Sequence, residues 1–378
     1  VLRTMFYFFI TRTMIYKTDK SEIAKYREDE SLSQSDLKKL LGGLENFLKE
    51  EDKQTLPMII GSAVDTLLTG TPEEFEDEFH VISVPKPSEL MESMLLSVYE
   101  GSGNKEAALQ DLLPVIEEVV VSYNYQSNWK LDTRIGKVLE NFIYYEEIKQ
   151  CAGKTVLSPS DMEVINNVVD SLRTNSLTKN LFLETDRYHD IYYQLPLFWE
   201  LDGIKCKGLL DIVVVEKDFD GNVISVTPYD LKTLSDKTIN FGTSVKMRRY
   251  DIQAAWYSFG LRKCLATFLN CDTSKLKNFR FVVESTTSPR EPLIYVCSDD
   301  ILNIGTVGLP ELVVNGRLVR NRIFGFMDLF LLYKYYQEQG FQRERAIEES
   351  NGLLTLDWDY SSYQYKSAEN ENPVWKKI

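Results

Sequence analysis

Asp211, Asp230 and Lys232 are the residues whose types and spacing could do chemistry. Asp230 and Lys232 stand two apart in VTPYDLKT, a run rich in strand formers, and residues at i and i+2 of a strand share a face. Upstream, Asp211 sits in an apolar, β-branched stretch, Leu209 to Val215, and Asp218-Phe219-Asp220-Gly221-Asn222 reads as the turn between the two runs. A β-hairpin built this way sets Asp211 beside the other two. Carboxylates gathered so can hold a hard divalent cation. An ammonium beside them can orient a water and offset charge at a phosphate. D-x-K alone is short and common, and a surface hairpin with solvated charges explains it as well; the flanking segments decide.

Several elements must position that trio. Ser31 to Leu48 opens with Ser/Asp capping chemistry and places Leu37, Leu40, Leu41 and Leu44 at helical spacing, which predicts an amphipathic helix. Met58 to Gly70 predicts a second helix, with Val64, Leu67 and Leu68 as its apolar face and Gly70 as its stop. Asp65 is its one charge, either at an exposed edge or aimed at a ligand. Pro72 to Phe79 reads as an acidic, solvated face, and Val84 to about Asn128 as an insertion of loops and short helices. Trp129 to Ala152 and Ser158 to Leu181 have helical periodicity. From Tyr188 the period becomes two, with a turn at Asp202-Gly203, so a meander of strands feeds the hairpin. Thr243 to Cys264 predicts a helix with Ile252, Ala255, Trp256 and Phe259 as its stripe and with Gln253 and Tyr257, at i and i+4, on a polar edge. Strands follow at Phe279 to Ser285 and Pro292 to Cys297, and the chain beyond Asp299 reads as helical and aromatic.

The chain has 378 residues, 43% of them hydrophobic, and a formal net charge of −14. So acidic a chain does not bind nucleic acid through its overall field; a local basic strip or a metal-filled cleft is required. Five scattered cysteines form no C-x-x-C pair, which leaves no zinc or iron–sulfur signature and suits a reducing cytoplasm. Two histidines give a His-rich metal site or a Ser-His-Asp triad little to draw on. The apolar stretch Met5 to Ile10 is too short to span a bilayer and lacks a signal-peptide cleavage pattern; Met14 is a plausible natural start.

Four pieces stand in order: G-S-x-x-D (Gly61 to Asp65), a strand ending G-x-x-D (Gly208 to Asp211), D-L-K (Asp230 to Lys232) and Q-x-x-x-Y (Gln253 to Tyr257). Together they resemble the PD-(D/E)XK nuclease superfamily, in particular its RecB-like and RecE-like (exonuclease VIII-type) branch of phage and bacterial recombination, over roughly residues 31–299. The opening SLSQSDLKKL resembles the start of the exonuclease VIII-type domain.

The resemblance implies an α/β fold with a restriction-endonuclease-like core, a central mixed β-sheet flanked by helices and helical additions. Residues 1–30 would be an N-terminal extension, 31–299 the nuclease domain with an insertion at about 84–128, and 300–378 a C-terminal helical and aromatic extension. It implies a metal-dependent deoxyribonuclease, an exonuclease on linear DNA, with Mg²⁺ as cofactor (Mn²⁺ as substitute) and no iron–sulfur cluster. Asp211 and Asp230 would bind the metal with the backbone carbonyl of Leu231, and Lys232 would be the catalytic lysine. Gln253 and Tyr257 would support the lysine and the DNA path. Asp65 falls where the RecB-like branch carries a metal-binding histidine; an aspartate suits a hard Mg²⁺. Arg248 or Arg249 would hold a DNA phosphate. Expected partners are linear double-stranded DNA, further copies of the chain in a ring, and a single-strand annealing protein, all in the cytoplasm of a cell or phage host and away from membranes; the aromatic tail 356–378 reads equally as a ring interface or as a packed tail. Two alternatives stay open: a member of the fold that binds DNA or protein without cutting, which the Asp65 departure and the acidic charge favour, and a structure-specific endonuclease.

Overall fold

The computed structural model describes residues 15–49, 54–82, 84–151, 153–182, 188–314 and 317–341. The stretch Met5 to Ile10, the Met14 start and the aromatic tail 356–378 lie outside the described residues. Two compact units form, one from Val1–Gln54 with Ser171–Ile378 and one from Thr55–Asp170.

The first unit holds a six-stranded mixed sheet flanked by helices. Its strands are β1 (Ile15–Lys17), β2 (His189–Leu201), β3 (Ile204–Lys217), β4 (Val223–Leu234), β5 (Arg280–Ser285) and β6 (Leu293–Val296), side by side in that order. Asp202 and Gly203 turn β2 into β3 with φ of 48° and 80°, the left-handed pair that a two-residue Asp-Gly hairpin needs. β3 and β4 pair antiparallel up to Ile212–Tyr229. β4 then runs past Asp230 because, from Tyr229 to Leu234, it pairs in parallel with β5. A parallel neighbour requires a long crossover, which the helices α3 (Phe241–Arg248) and α4 (Tyr250–Leu269) supply after α1 (Lys20–Glu28) and α2 (Gln34–Lys39) have been laid down near the N-terminus.

Two expected helices are broken. The helix expected over 31–48 becomes α2, a 3₁₀ turn at Leu40–Gly42 and a short helix Leu44–Phe47, because Gly43 takes a φ of 84° between them. Ser33 caps α2: its backbone N–H donates to Asp36 at 2.9 Å and its Oγ accepts from the Asp36 N–H at 3.3 Å. The helix expected over 243–264 is split into α3 and α4 at Arg249, which sits in the left-handed region with a φ of 51°. That conformation costs a non-glycine residue about 1–2 kcal/mol. The Arg249 guanidinium offsets it by donating to both Asp251 oxygens, at 3.0 and 2.8 Å, and to the Phe324 carbonyl.

α4 was expected to be apolar on one stripe and is buried nearly all round. The sheet covers one side, and α5 (Asp299–Val307) and α6 (Phe326–Glu338) pack on others. Its polar edge faces inward: Gln253 and Tyr257 are both buried. Trp256 donates from Nε1 to the Lys207 carbonyl of β3 at 3.0 Å, which fixes the helix over the sheet. The segment beyond Asp299 also contains a β-hairpin, β7 (Leu312–Val314) with β8 (Arg317–Arg320), where only helix was expected.

The second unit carries its own core. The stretch 84–128, expected to be loops and short helices, includes the helices Glu89–Gly101 and Leu113–Ser122. Met94, Leu95, Val98, Ile116 and Val120 from these pack with Val138 and Tyr145. The acidic run after Gly70 is a helix, Pro72–Glu78, held by a capping box between Thr71 and Glu74. No described helix is long and apolar enough to cross a membrane.

Candidate functional site

The antiparallel ladder between β3 and β4 ends at Ile212–Tyr229. In that register the next two residues, Asp211 and Asp230, fall opposite each other where the ladder stops, and a directly opposed pair shares a face. An oxygen of Asp211 accepts the backbone N–H of Leu231 at 2.9 Å, in the place a ladder bond would take. The N–H and C=O of one residue leave a strand on the same edge, so the Leu231 carbonyl is directed to the edge where Asp211 lies.

Asp230 is 2% exposed. Its Oδ1 accepts from Gln253 Nε2 of α4 at 2.7 Å, and its Oδ2 forms an ion pair with Lys232. A buried carboxylate needs such partners on each oxygen. The Lys232 ammonium also lies 5.1 Å from the ring centroid of Tyr250, a cation–π contact. Burial by itself would lower the Lys232 pKa, but Asp230 and Asp211 outweigh it and hold the pKa above the ordinary lysine value. The ammonium therefore stays charged in this arrangement. Tyr257 reaches the same place one helical turn beyond Gln253. Its ring lies so close to β3 that a methyl added at Gly208 would fall 3.1 Å from it, which accounts for the glycine of the G-x-x-D motif. Burial first, then the nearby Asp230, raises the Tyr257 phenol well above its usual range.

Six of the nine residues named from sequence thus converge where the β3–β4 ladder ends: Asp211, Asp230, Leu231, Lys232, Gln253 and Tyr257. The other three differ. Arg249 is engaged internally with Asp251 and Phe324. Arg248 presents an exposed side chain, while its carbonyl accepts from Lys38. Asp65 lies in the second unit, on the helix Leu56–Thr69, where its carbonyl accepts from Thr69 Oγ1 at 2.9 Å. Among the described residues no group of three or more His, Cys, Asp or Glu side chains is gathered as a metal cage. The first unit offers two carboxylates and a backbone carbonyl. All are hard oxygen donors, and a divalent cation such as Mg²⁺, which keeps most of its water, needs only one or two carboxylates.

Two residues at the site were not singled out from sequence. Tyr250 opens α4 and carries Lys232 over its ring. Lys38, on α2, places its ammonium 5.6 Å from the centroid of the same ring. A readable signal existed in this acidic chain: residues 237–250 contain Lys237, Lys246, Arg248 and Arg249 and no acidic residue.

No protein-family model matches the chain, and no curated protein matches it. Among solved structures, a candidate exonuclease from Eubacterium rectale is 14% identical, with a TM-score of 0.37, over 76% of this chain and 80% of that one. Likeness of that degree says nothing about activity, and the functional case rests on the geometry around Asp230.

Proposed function

We propose that the chain is a metal-dependent deoxyribonuclease of the PD-(D/E)XK kind, acting as an exonuclease on linear DNA. The observation that carries this reading is the convergence of Asp211, Asp230 and Lys232 where the β3–β4 ladder ends, with Gln253 bonded to Asp230. Asp211, Asp230 and the Leu231 carbonyl would hold Mg²⁺. When bound, the ion supplies Lewis acidity and charge neutralisation toward the phosphate. Lys232 orients the attacking water and offsets the charge that builds on the phosphoryl oxygens. The water gives up one proton to solvent as its oxygen bonds to phosphorus, the phosphorus–oxygen bond to the leaving strand breaks, and the leaving oxygen takes up a proton from solvent. Gln253 fixes one oxygen of Asp230 and leaves the other toward Lys232. Asp65 lies in the second unit and enters this reading through the motif order alone. DNA lies along the basic segment 237–250.

The test is degradation of end-labelled linear duplex against closed circular DNA, with Mg²⁺ or EDTA, by wild type and Lys232→Ala. Metal-dependent loss of the linear DNA alone, reduced by at least about 100-fold in the variant, is the expected result. Cutting of the circle would replace the exonuclease by an endonuclease. A folded wild type that cuts neither DNA with Mg²⁺ or Mn²⁺ would remove the enzymatic reading and leave a binding protein.

A further inference from the structure

Lys38 lies on α2, nearly 200 residues before the D-L-K motif, yet its ammonium shares the Tyr250 ring with that of Lys232. It donates to the Arg248 carbonyl at 3.3 Å. Among the described residues no carboxylate lies within ion-pair distance of Lys38. Its charged surroundings are mixed: Lys232 and Asp230 on β4, and Arg249 and Asp251 at the start of α4. Both carboxylates are already taken, Asp230 by Lys232 and Asp251 by Arg249. Burial, and then the like charge of Lys232, pull the Lys38 pKa down to about 8. A half-buried cation held beside another cation without a counter-ion is costly until an anion arrives. A carbonyl and a ring face hold it in place meanwhile, with donors to spare.

We propose that Lys38 is a substrate-binding residue that grips a backbone phosphate of the DNA strand entering the D-L-K centre. The assignment rests on the nuclease reading above for the identity of its ligand. The two ammonium groups then divide their work. Lys232, bonded to Asp230, acts at the phosphate that is cut, and Lys38 holds a neighbouring phosphodiester and sets its register. α2 thereby belongs to the substrate path, although its residues alone favour a packing helix over a helix at the mouth of the site.

The experiment is steady-state cleavage of a labelled duplex by wild type, Lys38→Ala and Lys38→Arg, with direct binding of the same duplex in EDTA followed by fluorescence anisotropy. Lys38→Ala should raise KM and Kd about tenfold with kcat nearly unchanged, and lower the slope of log affinity against log salt by about 1. Lys38→Arg should restore affinity. Wild-type binding should also weaken as pH rises past about 8, where Lys38 loses its proton, and Lys38→Arg should abolish that step. Active wild type with unchanged KM and Kd in Lys38→Ala would overturn the assignment and leave the nuclease reading standing. If wild type binds DNA without cutting it, a loss of binding in Lys38→Ala supports the phosphate contact on a non-cutting protein. A folded wild type that neither cuts the duplex with Mg²⁺ nor binds it, in EDTA or with non-catalytic Ca²⁺, would overturn both.

Discussion

At the scale of single residues, the centre is one buried carboxylate with two partners. Gln253 holds Asp230 from the helix side and Lys232 holds it from the strand. Gln253→Ala removes the donor and leaves an oxygen of a 2% exposed carboxylate without it. We expect a loss of about 1–3 kcal/mol of stability, read by urea unfolding. Activity should fall with it, and Gln253→Glu should be worse because it sets a second carboxylate against Asp230. Asp211, Asp230 and Lys232 were legible in the sequence because strand alternation gives direction to each side chain. Gln253 was legible as a position, but its bond to Asp230 was not, since helical spacing alone reads it as part of a polar edge. Lys38 was not legible: its importance comes from Tyr250, which periodicity never brings near it. Arg249 looked like a DNA contact, and its bonds to Asp251 and Phe324 tie it instead to a strained helix junction.

At the scale of elements, β4 and α4 decide the site. β4 has an antiparallel neighbour on one side and a parallel one on the other, and the antiparallel ladder stops where Asp230 begins. α4 can press its polar residues onto the sheet only because α5 covers its far side. Gly305 permits that cover: an added methyl there would fall 2.0 Å from the Asp251 carbonyl oxygen. Gly305→Ala should therefore destabilise the first unit by about 1–3 kcal/mol or more. It should also weaken catalysis through Asp251, Arg249 and Tyr250; thermal unfolding and the nuclease assay would read the two effects. The hairpins at Asp202-Gly203 and at Asp218 to Asn222 were legible because their turn residues are diagnostic. The β7–β8 hairpin carried the same kind of signal, Asn315-Gly316 between β-branched runs, and the surrounding aromatic residues drew it into a helical expectation. The break at Arg249 had no glycine or proline to announce it.

At the scale of the whole molecule, charge and connectivity matter most. A net charge of −14 opposes the approach of DNA at long range. Added salt screens that repulsion while it would weaken the contacts proposed at Lys38 and the 237–250 strip. Stopped-flow binding should therefore show an association rate that rises from low to moderate salt and a dissociation rate that rises throughout; an association rate falling steeply with salt would indicate a larger basic face than the sequence holds. The reading of 84–128 as loops and short helices did not show the core there, because Met94, Val98, Ile116 and Val120 find apolar partners in Val138 and Tyr145, farther along the chain. The first unit is assembled from two separated lengths of chain, with the whole second unit encoded between them. On a ribosome, Lys38 emerges and then waits while Thr55–Asp170 is synthesised and becomes free to fold by itself. At ordinary elongation speeds the partners of α2 follow by roughly 10–40 seconds. The nascent N-terminal segment, with Leu37 and Leu40 that will end up buried, spends that time exposing apolar chain to its surroundings, and the centre around Asp230 cannot close until β3, β4 and α4 have followed.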